Sequence, residues 1–108
     1  MKWKITIAAF LLVAVALVCY KLGYRAAVRD EIAIEARNNC ISNLRLLDGC
    51  KQQWALDNKK ATNDVPTWAD LKIYMRHSII VCQSAGTYTL GRVEVAPFCS
   101  VHGHQLPP

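Results

Sequence analysis

The feature that most constrains the fold is an apolar run near the N-terminus, "ITIAAFLLVAVALVCY", at residues 5–20. Thr6 is its only polar residue, and basic side chains flank it at both ends. A helix of this length is about 24 Å long, slightly shorter than a hydrocarbon core of roughly 30 Å. Trp3 and Tyr24 can extend the span, and the flanking lysines can reach the interface. The run predicts a transmembrane anchor at residues 5–24, after a short cytoplasmic N-terminus at 1–4. The anchor residues are Ile5, Phe10, Leu12, Leu17 and Tyr20.

Two other interpretations of the apolar run are open. It could be a signal peptide cleaved after a small-residue motif such as Ala14-Val15-Ala16. A lipoprotein site at Cys19 is disfavoured because bulky Val18 precedes it. We favour the retained anchor, because no proline occurs before Pro66 to break the helix where cleavage would fall.

Beyond the anchor, the pattern predicts that the helix continues to about Lys60 as an amphipathic segment at residues 25–60, here called the spine. Apolar residues recur at intervals of three and four and form one stripe. They are Ala33, Ala36, Cys40, Leu44, Leu47, Cys50 and Trp54. Polar residues occupy the opposite face. They are Glu35, Arg37, Asn43, Arg45, Asp48, Lys51 and Gln52.

The sequence pattern of residues 61–108 predicts a small α/β head with a terminal hairpin. Pro66 suits a helix start, and Thr67 with Asp70 resembles a capping box. The short helix would place Trp68, Leu71 and Tyr74 on one side. The β-branched and alternating runs at 78–82, 87–90 and 93–95 predict two or three antiparallel strands. The predicted fold class is α+β, and the residues expected to pack the spine on the head are Cys40, Leu44, Leu47, Trp54, Trp68 and Tyr74.

Four of the five cysteines lie outside the apolar run, which favours a disulfide in an oxidising compartment and therefore a head outside the cytoplasm. Cys40 and Cys50 would lie about 15 Å apart along one helix, too far to pair. Two choices remain. Either Cys82 is bonded to Cys99, or two long bonds join these head cysteines to Cys40 and Cys50 of the spine. We predict the Cys82–Cys99 bond, because the glycines between these residues allow the chain to fold back.

A zinc site made of Cys82, Cys99, His102 and His104 is the competing interpretation of the C-terminal stretch. Its spacing is poor, so we expect no metal and a solvated histidine tail. The sequence contains no serine-nucleophile elbow, zinc-protease, phosphate-loop or dinucleotide motif, so we expect neither an enzyme nor a cofactor. Net charge is +5. Most of the excess lies in scattered residues, which does not indicate nucleic-acid binding.

Four runs together resemble the type IV pilin-like proteins, including the pseudopilins of type II secretion systems. They are "CISNLRLLDGCKQQWALDNKK", "TWADLKIYM", "GTYTLG" and "PFCSVHGHQLP", and the resemblance covers about residues 39–107. It implies a bacterial inner-membrane protein with a single span and a periplasmic head. Its partners would be membrane lipid, further copies or other pilin-like subunits, and a secretion or pilus platform.

The N-terminus departs from the family pattern. No glycine precedes the apolar run at the peptidase position, and the run contains no glutamate. We therefore expect processing by a prepilin peptidase to be impaired. The predicted function is a structural assembly subunit. The alternatives are a tethered periplasmic binding domain that uses Trp68, Tyr74 and the tail, and a secreted or zinc-binding module.

Overall fold

The computed structural model describes residues 1–76 and 80–108. Its elements are helix α1 at Lys2–Asp57, helix α2 at Trp68–Leu71, and strands β1 at Tyr88–Thr89 and β2 at Phe98–Cys99. This arrangement confirms the predicted α+β layout of one long helix, one short helix and a small antiparallel sheet. The chain divides into two units, Met1–Ala33 and Ile34–Pro108.

The unit Met1–Ala33 is helical and presents apolar side chains to its surroundings. An 18-residue window in α1 near the N-terminus has a mean hydropathy of 2.4, and none of it is buried. The helix is long and apolar enough to cross a membrane. All five predicted anchor residues, from Ile5 to Tyr20, have exposed side chains.

Helix α1 ends three residues before the predicted limit at Lys60. The reason is local, because Lys59 adopts a left-handed conformation with φ of 50°. The amide of Lys60 then donates to the carbonyl oxygen of Ala55 at 2.9 Å, and the Asn58 side chain donates to the carbonyl oxygen of Trp54 at 2.9 Å. The bond from Lys60 satisfies a carbonyl group that the last helical turn would otherwise leave free, and the Asn58 side chain adds a second donor to a carbonyl that already accepts from the Asn58 amide.

The core of Ile34–Pro108 forms where residues 61–108 cover the apolar stripe of α1. Cys40, Leu44, Leu47 and Trp54 lie in this core, as does Cys50. The covering side chains are Leu71, Cys82, Tyr88, Leu90, Val93 and Cys99. One member of the predicted polar face also lies inside. Lys51 has no exposed surface, which corrects its assignment to the solvated face.

Helix α2 is a single turn with the predicted capping box. The Asp70 amide donates to the Thr67 hydroxyl at 3.2 Å, and the Thr67 amide donates to the Asp70 carboxylate at 2.8 Å. Leu71 is fully buried, and Tyr74 is partly buried beyond the helix end. Trp68 is 44% exposed and lies outside the buried core, so it does not pack the spine on the head as predicted.

The sheet consists of β1 and β2 alone among the described residues. They pair antiparallel, with Tyr88 opposite Cys99 and Thr89 opposite Phe98. The predicted strand at 93–95 is instead a turn, because the amides of Val93 and Glu94 donate to carbonyl oxygens of the segment after α1. Of the predicted strand at 78–82, residues 80–82 have no strand pairing and the first two residues lie outside the described ranges.

Candidate functional site

Three thiols and one imidazole converge inside the unit Ile34–Pro108. The sulfur atoms of Cys40, Cys82 and Cys99 and a ring nitrogen of His104 all lie within 4.8 Å of one another. All four side chains are buried. They come from four different parts of the chain, so tertiary structure alone assembles the cluster.

Helix α1 and strand β2 supply two of the four groups. Cys40 lies on the apolar stripe of α1 and is 1% exposed. Cys99 is the last residue of β2, and its pairing with Tyr88 in β1 directs its side chain inward. The regular elements therefore position one sulfur on each side of the cluster.

Cys82 enters the cluster from a tight turn. The Ala85 amide donates to the Cys82 carbonyl oxygen at 3.1 Å, and Ala85 has a left-handed φ of 59°. Gly86 follows with its backbone close to the sulfurs. A Cβ atom there would lie 2.6 Å from the Cys99 sulfur and 3.1 Å from the Cys82 sulfur. The backbone can pass this close to both thiols only because residue 86 has no side chain.

His104 is held by a second turn near the C-terminus. Its amide donates to the Val101 carbonyl oxygen at 3.1 Å, and Gly103 has a φ of 84° that favours glycine. Arg37 on α1 donates from Nε to the Gly103 carbonyl oxygen at 3.0 Å. This bond ties the turn to the helix and brings the Nδ1 atom of His104 to 3.6 Å from the Cys82 sulfur.

A second layer of hydrogen bonds surrounds the cluster on the α1 side. The Tyr88 hydroxyl donates to the Cys40 sulfur at 3.4 Å. Asn43, one turn further along α1, donates from Nδ2 to the Tyr88 hydroxyl and to the Val81 carbonyl oxygen, each at 3.1 Å. These bonds fix the orientation of Tyr88 and of the chain that leads into Cys82.

The protein shifts the pKa values of the thiols in opposite directions. Burial raises the pKa of Cys40 to about 12, and the neighbouring thiols of Cys99 and Cys82 act in the same direction. For Cys82, burial also acts to raise the pKa, but the amides of Ser84 and Gly86 and the His104 ring outweigh it. The pKa of Cys82 is lowered to about 7. The cluster thus contains one readily ionised sulfur beside an imidazole.

Sulfur and imidazole donors in this arrangement are suited to two kinds of chemistry. They can coordinate a metal ion that prefers soft ligands, or a pair of thiols can be oxidised. Another open cleft in the same unit is lined by Arg45, Gln53, Tyr74 and Arg76.

The predicted disulfide between Cys82 and Cys99 is not formed in this structure, in which both residues have free thiols. The two sulfurs share their surroundings with the Cys40 sulfur and the His104 ring. Cys40 was expected to be a packing residue only. Its place on the apolar stripe, facing the head, is the signal that could have indicated a ligand role.

The two histidines of the tail also differ. His102 is exposed, as expected for a solvated tail, whereas His104 is 6% exposed and belongs to the cluster. Cys50 is buried on α1, and burial raises its pKa, but it lies outside the cluster. Cys19 is exposed in the apolar unit.

Comparisons with protein-family models, with curated proteins and with solved structures found no match to the chain.

Proposed function

We propose that the chain is a pilin-like structural subunit that is anchored in a bacterial inner membrane by its N-terminal helix and acts by assembly. The observation that carries this proposal is the exposed apolar surface of Met1–Ala33. The 18-residue window with a mean hydropathy of 2.4 has no buried part. An apolar surface of this size is stable only against lipid or against other apolar helices.

Small side chains along the anchor favour lateral association of helices. Ala8, Ala9, Ala14 and Ala16 reduce the bulk of the helix and permit neighbouring backbones to approach closely. In a bilayer the attraction between helices comes mainly from such close packing. The anchor therefore suits both a span in lipid and a packed bundle of subunits.

The layout of the folded unit supports the pilin-like interpretation. A helix with an apolar stripe carries a small head that has one capped turn of helix and a two-stranded sheet. The sequence runs that resemble pilin-like proteins span most of this unit. The proposal therefore assigns the folded unit to a pilin-like head and spine, and makes further copies, related subunits and a secretion or pilus platform its partners.

The head is proposed to lie in the periplasm. This orientation rests on the resemblance, since the free thiols remove the argument from a disulfide. Fusions of alkaline phosphatase and of a fluorescent protein that matures only in the cytoplasm, each placed after Pro108, test it. Phosphatase activity with a dark fluorescent fusion is expected, and the reverse pattern contradicts the orientation.

Cys19 offers a native probe of assembly, because it lies exposed in the apolar unit. A membrane-permeant oxidant should give disulfide-linked dimers of the wild type, and Cys19→Ser is the matched control that should stay monomeric. With the additional substitution Ala8→Cys, each chain has two reactive sites, so an assembly should give a ladder beyond the dimer. Monomers alone in both proteins contradict assembly and favour the tethered monomer.

Exposed apolar side chains on the folded unit favour the tethered binding domain as the second candidate function. Trp68 is 44% exposed and, with Ile80 and Val81, lines an open cleft that extends to Tyr88. Aromatic side chains of this kind often form the centre of an interface. If this candidate is correct, Trp68→Ala abolishes partner capture while the Cys19 experiment yields monomers only.

The intact mass of protein purified from membranes distinguishes a retained anchor from a cleaved signal peptide. We expect a mass that begins at Met1 or Lys2. A mature chain that begins at Leu17, after Ala14-Val15-Ala16, contradicts the anchor and the assembly that depends on it.

A further inference from the structure

We propose that Cys40, Cys82, Cys99 and His104 bind one zinc ion as a structural site that fixes the C-terminal half of the chain on helix α1. The site is independent of the proposed assembly function. It differs by one ligand from the set considered in the sequence analysis, because Cys40 takes the place of His102.

The distances suit a tetrahedral ion. Zinc lies about 2.3 Å from sulfur and about 2.0–2.1 Å from nitrogen, so a tetrahedron has S···N edges of about 3.6 Å and S···S edges of about 3.8 Å. The Cys82 sulfur and the His104 Nδ1 atom are 3.6 Å apart. All four donor atoms lie within 4.8 Å of one another, so about 1 Å of adjustment brings every edge to its expected length.

The donor set selects the metal. Three thiolates and one imidazole form one of the usual closed sets for structural zinc, whereas calcium and magnesium prefer oxygen ligands. All four side chains are buried, and together they supply the four protein ligands of a closed tetrahedral site. The geometry therefore points to a structural ion and not to a catalytic one.

The surrounding hydrogen bonds match those that support a metal site. Ligands are usually oriented by outer partners, and here Tyr88 donates to the Cys40 sulfur while Asn43 fixes Tyr88. Arg37 holds the carbonyl oxygen of Gly103, the residue before His104. Gly86 keeps the space beside the Cys82 and Cys99 sulfurs free of a side chain.

The ion would supply what the C-terminal half lacks in regular structure. Its strands are two residues long each, and α2 is a single turn. One ion would join α1, the turn after Cys82, the end of β2 and the terminal turn. On binding, each cysteine that is still a thiol would release its proton to solvent, and the three thiolate sulfurs and the neutral imidazole nitrogen would form the four bonds to Zn²⁺.

The test begins with the full chain, purified in detergent under reducing conditions. We expect about one zinc ion per chain by elemental mass spectrometry, and Co²⁺ should replace it with the intense visible absorption of a tetrahedral thiolate complex. Cys40→Ser and His104→Gln should each weaken metal binding by more than the roughly 10- to 100-fold that loss of an outer partner costs.

Matched controls lie beside both ligands. Cys50→Ser removes a second buried thiol of α1, and His102→Gln removes the exposed histidine two residues before His104. Both variants should keep one zinc ion per chain and the cobalt spectrum. Tyr88→Phe removes the outer hydrogen bond to Cys40 and the bond that Asn43 donates to the hydroxyl but leaves all four ligands, and we expect about 10-fold weaker binding with an unchanged cobalt spectrum.

Several results overturn the proposal. The proposal is overturned if the wild-type chain takes up neither Zn²⁺ nor Co²⁺ under reducing conditions, and this result counts even if a ligand variant fails to fold. It is also overturned if protein whose thiols are blocked at lysis contains a Cys82–Cys99 disulfide and no zinc. An equal loss of binding in His102→Gln and His104→Gln overturns it as well. Crosslinking through Cys19 can succeed or fail whether or not the chain binds zinc, so the assembly proposal and the zinc proposal are tested separately.

Discussion

The Nζ atom of Lys51 in helix α1 donates a hydrogen bond to the main-chain carbonyl oxygen of Leu90, and Lys51 has no exposed surface. Nζ also donates to the carbonyl oxygen of Val95, and neighbouring Gln52 donates to that of Val93 at 2.9 Å. One basic side chain thus satisfies acceptors of a loop that forms no strand. The loop after β1 follows the helix because of these bonds.

Replacement of this lysine by an apolar side chain of similar length should therefore destabilise the protein. In Lys51→Met, two carbonyl groups lose their donor, and the bond lost at Leu90 is a buried one. We expect a loss of about 1–3 kcal/mol in the free energy of unfolding, reduced by the removal of a buried charge. Urea denaturation followed by tryptophan fluorescence measures it.

Lys72→Met is the control for this change, because Lys72 is exposed at the end of α2. Its free energy of unfolding should differ from that of the wild type by less than about 0.5 kcal/mol. If Lys51→Met is as stable as this control, the hydrogen bonds of Lys51 do not hold the loop.

Lys51 also predicts a pH dependence. Burial lowers its pKa in the folded state from the usual 10.5. Between the lowered value and 10.5 the unfolded chain binds more protons, so the contribution of Lys51 to stability increases as pH rises through that window. A neutral amine still has two N–H groups for the two carbonyls.

Other groups titrate at alkaline pH, so the measured quantity is the difference in stability between wild type and Lys51→Met at each pH. This difference should grow in favour of the wild type as pH rises through the lowered folded-state pKa towards 10.5. A difference that shrinks over this range contradicts the assigned direction of the pKa shift.

The sequence predicted features that depend on local periodicity and missed those that depend on distant backbone. Spacing of three and four residues placed Cys40, Leu44 and Leu47 correctly on one stripe. The same spacing placed Lys51 with the polar residues, because a helical pattern does not show which carbonyl groups another segment will bring to it. Residues 90–95 supply those groups.

The thiol cluster has the same limit. Cys40, Cys82 and the Cys99–His104 pair are far apart in sequence, and two of the four residues reach the cluster through turns with left-handed residues at Ala85 and Gly103. Gly103 beside His104 is a local signal of such a turn, but Ala85 is not. The residue types could therefore suggest a ligand set, but spacing alone could not show that Cys40 belongs to it and His102 does not.

The capping box of α2 gives a third prediction. Thr67→Ala removes the hydroxyl that accepts from the Asp70 amide, and we expect a loss of about 0.5–2 kcal/mol in the free energy of unfolding. Thr62→Ala, at an exposed position in the preceding segment, should have little effect. Equal stability of the two variants would show that this single turn adds nothing measurable.

The same capping box predicts that its contribution to stability is lost at low pH. Hydrogen bonds from the Thr67 amide and hydroxyl lower the pKa of Asp70 below the usual 3.8. The contribution of the box should be complete above 3.8 and lost as pH falls through the lower folded-state pKa. The stability difference between wild type and Asp70→Asn should therefore diminish below pH 3.8. A difference that is independent of pH contradicts this assignment.

Two glycines with opposite surroundings provide the last prediction. A Cβ atom at Gly86 would lie 2.6 Å from the Cys99 sulfur and 2.7 Å from a methyl group of Val101, whereas a Cβ atom at Gly49 in α1 would have no neighbour within 4 Å. Gly86→Ala must displace buried side chains, and overpacking of this kind costs about 1–3 kcal/mol. Gly49→Ala meets open space in a helix interior, where alanine is favoured over glycine by up to about 1 kcal/mol.

Thermal melting of both variants in the same detergent should therefore give shifts of opposite sign, down for Gly86→Ala and up for Gly49→Ala. If Gly86→Ala melts at or above the wild-type temperature, the backbone at residue 86 does not approach the sulfurs as closely as described, and the cluster is less tightly enclosed.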